Sequence, residues 1–186
     1  MPFEASKYLK TLDHRVYYNT FKSAVYTPTY ASDREKSPVK NIILLIGDGN
    51  GLSQISSAVL ANNGELTLTQ LKSIGFLKTQ SADDFTTDSA AAGTALATGE
   101  KTYNRAIGMD ANRNPIETIT ELLDKHNFIS GCITTDEITG ATPASFYSHQ
   151  LDRDMTEGTA NDLKKSKLSL FIGGGSDHFS TKFSDS

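Results

Sequence analysis

Ser89 follows an acid and precedes a run of small residues, in Thr87-Asp88-Ser89-Ala90-Ala91-Ala92-Gly93. A serine so placed can sit at a helix N-terminus, where free backbone N–H groups and the positive dipole end favour an anion such as phosphate. The same residues also suit an ordinary N-cap, with Asp88 or Ser89 accepting from first-turn amides. Asp48 lies in Gly47-Asp48-Gly49-Asn50-Gly51, where an ionised carboxylate among glycines suits a hard metal ion or, equally, a turn capped by its own aspartate. Thr142, in Gly140-Ala141-Thr142-Pro143, is a third hydroxyl-bearing candidate and could also be a helix N-cap.

These residues need elements to hold them. Asn41-Ile42-Ile43-Leu44-Leu45-Ile46 is a continuous apolar run of the kind that forms a strand buried on both faces of a parallel sheet, and Asp48 would project beyond its carboxyl end. Leu52 to Leu60 has helical spacing. A short helical or turn segment is expected over Leu66 to Leu71, and a short strand over Ile74 to Gln80. The alanine-rich stretch after Ser89 predicts a helix closed by Gly99 and able to pack closely on the sheet. A helix over about Ile116 to His126, a strand over Phe128 to Thr135, helices over Ala144 to His149 and Thr159 to Lys165, and a strand over Leu168 to Ile172 complete the pattern. Pro143 is placed to open its helix. Alternation of this kind predicts an α/β fold with a mainly parallel central sheet and helices on both sides, a three-layer α/β/α arrangement.

The chain of 186 residues has 37% hydrophobic content and a formal net charge of -4, which argues against a general nucleic-acid or membrane-surface role. Cys132 is the single cysteine; it cannot form an intramolecular disulfide and reads as a small buried hydrophobe. The segment 1–38 reads as a leader or upstream tail, with residues 39–186 forming the domain proper. No stretch is long and apolar enough for a signal peptide or a membrane span, so the chain as written would remain in the cytoplasm.

Taken together, Ile46-Gly47-Asp48-Gly49-Asn50-Gly51, Thr87-Asp88-Ser89-Ala90-Ala91-Ala92-Gly93-Thr94-Ala95 and Ala141-Thr142-Pro143-Ala144-Ser145-Phe146-Tyr147-Ser148-His149 resemble, in this order and spacing, the alkaline phosphatases. The resemblance runs from about Val39 to Gly175 and implies the amino-terminal part of such a catalytic domain. It implies that Ser89, a weak nucleophile until metal coordination activates it, attacks the phosphorus of a phosphomonoester to form phosphoserine, which water then hydrolyses. Asp48 matches the aspartate that bridges one zinc and a magnesium, and Thr142 the hydroxyl residue on the magnesium. Arg153 matches the arginine that binds two phosphate oxygens, for which a planar fork is suited, with Asp88 helping to orient it. Without that match, Arg153 beside Asp152, Asp154 and Glu157 would read as a surface ion pair.

The resemblance further implies two zinc ions and one magnesium ion in a complete enzyme, homodimers in many members, and a periplasmic or extracellular location. The remaining ligands, a glutamate, two aspartates and three histidines, have no matching segment. Asp177-His178 lies one residue beyond Gly173-Gly174-Gly175, too early to match the adjacent aspartate and histidine ligands, and Gly140 stands where several relatives carry a histidine or aspartate. His149 is expected to be structural, and His14 and His126 to lie at the surface. The expectation is therefore a metal-dependent phosphatase by family whose 186 residues alone turn over little substrate. The alternative is a non-catalytic phosphate-binding remnant; a related phosphodiesterase or sulfatase is disfavoured by the Asp-Ser-Ala-Ala-Ala-Gly stretch.

Overall fold

The computed structural model describes Ala24, residues 38–71 and residues 73–179, so all but two residues of the expected leader lie outside it. The chain divides into two compact units, Met1–Phe76 and Leu77–Ser186.

In the first unit, helix α1 (Leu52–Ala61) forms where the helical spacing places it, and a single 3₁₀ turn covers Thr67–Gln70. Asn41 to Ile46 is a correction to the sequence reading. The run belongs to no strand, and Ile42, Ile43 and Leu45 are more than four-fifths exposed. Apolar, β-branched sequence favours extended backbone, but a strand exists only where a neighbour completes its ladder, and here none does among the described residues. Ile74 to Gln80, which spans the end of this unit and the start of the next, likewise forms no strand.

The second unit holds α2 (Ser89–Thr98), α3 (Ile119–Lys125), β1 (Gly131–Glu137), α4 (Ala141–Ala144), α5 (Thr156–Lys165) and β2 (Leu170–Gly174). β1 and β2 pair in parallel, Cys132 opposite Phe171 and Ile133 opposite Ile172, joined by a crossover containing α4 and α5. This is the parallel α/β organisation expected, carried by two strands among the described residues. Both begin later than the sequence indicates, and Ile133, Phe171 and Ile172 remain at least half exposed.

α2 starts at its cap Asp88 and stops at Gly99, whose φ of 80° is the left-handed conformation glycine adopts freely. Its small residues serve a close approach to α4: a Cβ on Gly93 would stand 2.7 Å from Ser145 Oγ. Ser145 Oγ in turn donates to Ala141 O at 2.8 Å and to Ala90 O at 3.3 Å. The core around this contact comprises Ala90, Ile107, Ile138, Ala141, Ala144, Tyr147 and Leu163, with Cys132 half-buried against it and its thiol pushed up to about 11 by burial.

Three helix boundaries differ from the sequence reading; α5 begins at Thr156, three residues ahead of Thr159. α3 begins at Ile119 because Thr118 and Glu121 form a capping box, Thr118 N–H donating to Glu121 Oε2 at 2.8 Å. α4 is capped by Gly140 and holds Pro143 as its third residue, so Thr142 is not the N-cap and the segment from Ser145 to His149 is turn rather than helix. Proline is tolerated there because first-turn amides have no helical acceptor.

Candidate active site

Asp88 is the hinge of the site. Its backbone leaves the extended region as α2 begins, and its Oδ1 accepts from Ala91 N–H at 2.9 Å, satisfying one first-turn amide. Ser89 is therefore the first residue of α2, next to the amide end of the helix dipole. The second carboxylate oxygen, Oδ2, accepts from Arg153 Nη1 at 3.3 Å. The capping aspartate and Arg153 are thus a contacting pair.

The turn before Ser89 is fixed from outside the helix. Asp88 N–H donates to Asn104 Oδ1 at 2.8 Å, and Asn104 Nδ2 donates to Thr86 O at 2.8 Å. Asn104 N–H then donates to Asp83 Oδ1 at 2.9 Å. That bond, with a second from Ser81, holds the Asp83 carboxyl below the usual carboxylate range. Nothing local in the sequence marks Asn104, because its partners lie 16 and 18 residues earlier.

Arg153 is about one-third exposed and forms no hydrogen bond or ion pair with either neighbouring carboxylate among the described contacts, although its charge helps to lower the Asp152 carboxyl. Asp152 and Asp154 belong instead to Arg105, which donates from Nε to Asp152 Oδ2 at 2.7 Å and from Nη2 to Asp152 Oδ1 at 2.9 Å, and also pairs with Asp154. Hydrogen bonding from Arg105 lowers the Asp152 carboxyl below its ordinary value. Arg105 itself has φ of 77°, a left-handed backbone that costs a non-glycine residue about 1–3 kcal/mol and persists only where surroundings impose it.

Thr142 joins the same unit through α4: a Cβ on Gly93, one turn beyond Ser89, would meet Thr142 Cα at 3.5 Å. Asp48 lies in the first unit, in the turn between the extended Asn41–Ile46 run and α1, where Asn50 N–H donates to Gly47 O and Gly49 has φ of 65°. The structure therefore brings Asp88, Ser89, Thr142 and Arg153 into one unit and places Asp48 in the other.

His149 and His178 are both engaged. Glu137 Oε2 lies 3.0 Å from His178 Nε2. His149 Nδ1 lies 2.7 Å from Gly108 O and Nε2 lies 2.9 Å from Glu121 Oε1, so both ring nitrogens face acceptors and the doubly protonated ring satisfies both. Gly108 is required at this contact, because at φ of 58° a Cβ would stand 2.1 Å from Ser148 O. Burial opposes the charge on His149, but the Glu121 carboxylate and the Gly108 carbonyl outweigh it and the pKa is raised. A raised folded-state pKa gives stability that is complete below the unfolded histidine value of about 6.5 and is lost as pH rises through the folded value. Replacing His149 by Gln should therefore lower the urea midpoint most near pH 6, with a difference from the parent that shrinks toward pH 9. A difference that grew with pH would refute the charged clamp.

A metal must be tested against these donors. Ser89 and Thr142 offer two hydroxyls within one unit and Asp48 a carboxylate within the other, all hard oxygen donors of the kind magnesium takes. They fall short of the four nitrogen, sulfur or carboxylate ligands of a zinc site. Among the described residues no three His, Cys, Asp or Glu side chains gather to supply the rest.

A parallel α/β unit in which a capped helix start and an arginine meet at one aspartate defines the class as α/β. The comparisons make the class specific: the alkaline phosphatase family model matches residues 39–185, and the chain belongs to that family. It is similar to alkaline phosphatase 4 of Bacillus subtilis, 36% identical over 167 residues, covering 82% of this chain and 36% of that protein. Among solved structures it resembles the alkaline phosphatase of the Antarctic bacterium TAB5, with a TM-score of 0.70 and 42% identity over 75% of this chain and 41% of that one. A variant of the TAB5 enzyme with magnesium bound in its M3 site matches equally well, at 0.70 and 42%, over 75% of this chain and 40% of that one. The fold is thus an incomplete α/β fold of alkaline phosphatase type, and the chain spans roughly a third of the length of the curated relative.

Proposed function

We propose that this chain carries the phosphate-binding and nucleophilic part of a metal-dependent phosphomonoesterase. The carrying observation is the Asp88 bridge, which ties the start of the Ser89 helix to the Arg153 guanidinium. In this reading Arg153 and first-turn amides of α2 take the phosphate oxygens, and Ser89 Oγ forms a bond to phosphorus as the ester P–O bond breaks and the departing alcohol takes up the serine's proton. Water then displaces Ser89 from the phosphoserine, releasing inorganic phosphate. Bound metal would supply charge stabilisation and a more nucleophilic oxygen, with Asp48 and Thr142 as oxygen donors to magnesium and Ser89 to zinc. Two zinc ions, one magnesium ion, a homodimeric assembly and a location outside the cytoplasm accompany this reading through family membership. Among the described residues no helix is long and apolar enough to cross a membrane.

The shortage of strong zinc ligands in the named set supports a corollary, that these 186 residues bind phosphate but turn over little substrate. Aryl phosphate hydrolysis with zinc and magnesium supplied, measured for the full protein carrying this chain and for the 186 residues alone, should show turnover in the first and almost none in the second. Turnover by the 186 residues that vanished in Ser89→Ala would contradict the corollary and mean that ligands come from another chain or from another region of this one.

A further inference from the structure

Arg153 stands between two carboxylates in sequence, Asp152 and Asp154, yet its contact is with a third, Asp88, 65 residues away. That choice needs a cause, because the neighbouring carboxylates are covalently close and the Asp88 contact is a single one at 3.3 Å. The cause on the structure is Arg105. It grips Asp152 through two hydrogen bonds, at 2.7 and 2.9 Å, and pairs with Asp154, while Asp154 N–H adds a bond of 2.9 Å to Asp152 Oδ1.

The backbone brings the two segments side by side. Ile107 and Gln150 exchange backbone hydrogen bonds at 3.0 and 2.9 Å, and Tyr103 Oη donates to Leu151 O at 3.1 Å. Within this strip adjacent residues reach different halves of the site: Asn104 holds Asp88 and Thr86 ahead of the serine, and Arg105 holds the loop that carries Arg153. A left-handed residue at Arg105 is the backbone feature at that junction.

We propose that Arg105 is a positioning residue for phosphate binding: by occupying Asp152 and Asp154 it keeps the Arg153 guanidinium facing Asp88 and the phosphate. This rests on the reading of Arg153 as the phosphate-binding arginine. An isolated exposed ion pair does little, but a two-point guanidinium–carboxylate contact with a second carboxylate attached fixes geometry as well as charge. Without Arg105, two unneutralised carboxylates flank Arg153 and compete with substrate for it.

The test uses the full protein carrying this chain, with inorganic phosphate as competitive inhibitor and an aryl phosphate as substrate. Arg105→Met keeps the apolar stem and removes the fork. Loss of one charge-assisted contact's worth of alignment should weaken phosphate inhibition about tenfold and raise KM more than it lowers kcat. Adding Asp152→Asn and Asp154→Asn to Arg105→Met removes the competing carboxylates and should restore phosphate affinity to within about twofold of the parent, a tenfold step being about 1.4 kcal/mol. A residue that merely braced the loop would not be rescued this way, since the triple variant has no ion pair left. Arg105→Lys, which keeps the charge without the fork, should fall between parent and Arg105→Met and serves if the latter does not fold. Unchanged phosphate affinity in Arg105→Met, or no recovery in the triple variant, overturns the proposal. Arg153→Ala in the same assay separates the two levels: if it too leaves phosphate affinity unchanged, the reading of Arg153 itself fails.

Discussion

Replacing Ser89 by Ala in the full protein should reduce kcat for an aryl phosphate by about 10⁴- to 10⁶-fold, the range seen when a covalent nucleophile is removed. Phosphate affinity should change far less. Ser89 is the first residue of α2, and the groups proposed to hold phosphate, the α2 amides and Arg153, survive the substitution. Asp88 remains the cap through its bond from Ala91 N–H, so α2 should still start where it does. A large loss of kcat with retained inhibition by phosphate is the signature of a nucleophile rather than of a cap. Equal losses of both would return Ser89 to a structural role.

The second large effect belongs to Arg153. Truncating a charged partner in a site of this kind costs about 2–4 kcal/mol, so Arg153→Ala should lower kcat/KM by roughly 30- to 800-fold and weaken phosphate inhibition in parallel. Part of that loss comes from Asp88, whose Oδ2 would face the substrate anion without its guanidinium. Arg153→Lys should recover only a minor share, because an ammonium brings charge without the planar fork. Full recovery by Lys would argue for a general electrostatic role in place of two-oxygen recognition.

How far these features were legible depends on the range of the interactions behind them. Asp88, Ser89 and Gly99 could be read from sequence because cap, helix and stop are local: an acid before small helix formers, then a glycine able to take φ of 80°. The sequence reading misplaces the start of α3 at about Ile116, although Thr118 and Glu121 have the capping-box spacing that marks it. Asn41 to Ile46 shows the opposite limit. Its residues favour extension, but a ladder is a property of two segments, and only β1 and β2 complete one among the described residues.

The arginines mark the same boundary within the site. Local charge order assigns Arg153 to Asp152 or Asp154, and the structure assigns both to Arg105. That exchange depends on Ile107 and Gln150 lying side by side, 43 positions apart, which no local pattern announces. Asn104 was hidden for the same reason. Thr142 was identified as a candidate by its motif, but the helix around it begins at a glycine cap, so its hydroxyl is not used as the N-cap.

The most direct test of the central claim is to quench the full protein rapidly with acid during turnover of a phosphomonoester and to map phosphorylation by peptide mass. One phosphoryl group on the peptide containing Ser89, absent in Ser89→Ala, is the predicted result. Turnover with no phosphorylated Ser89 peptide, or with the phosphoryl group on another residue, would contradict it.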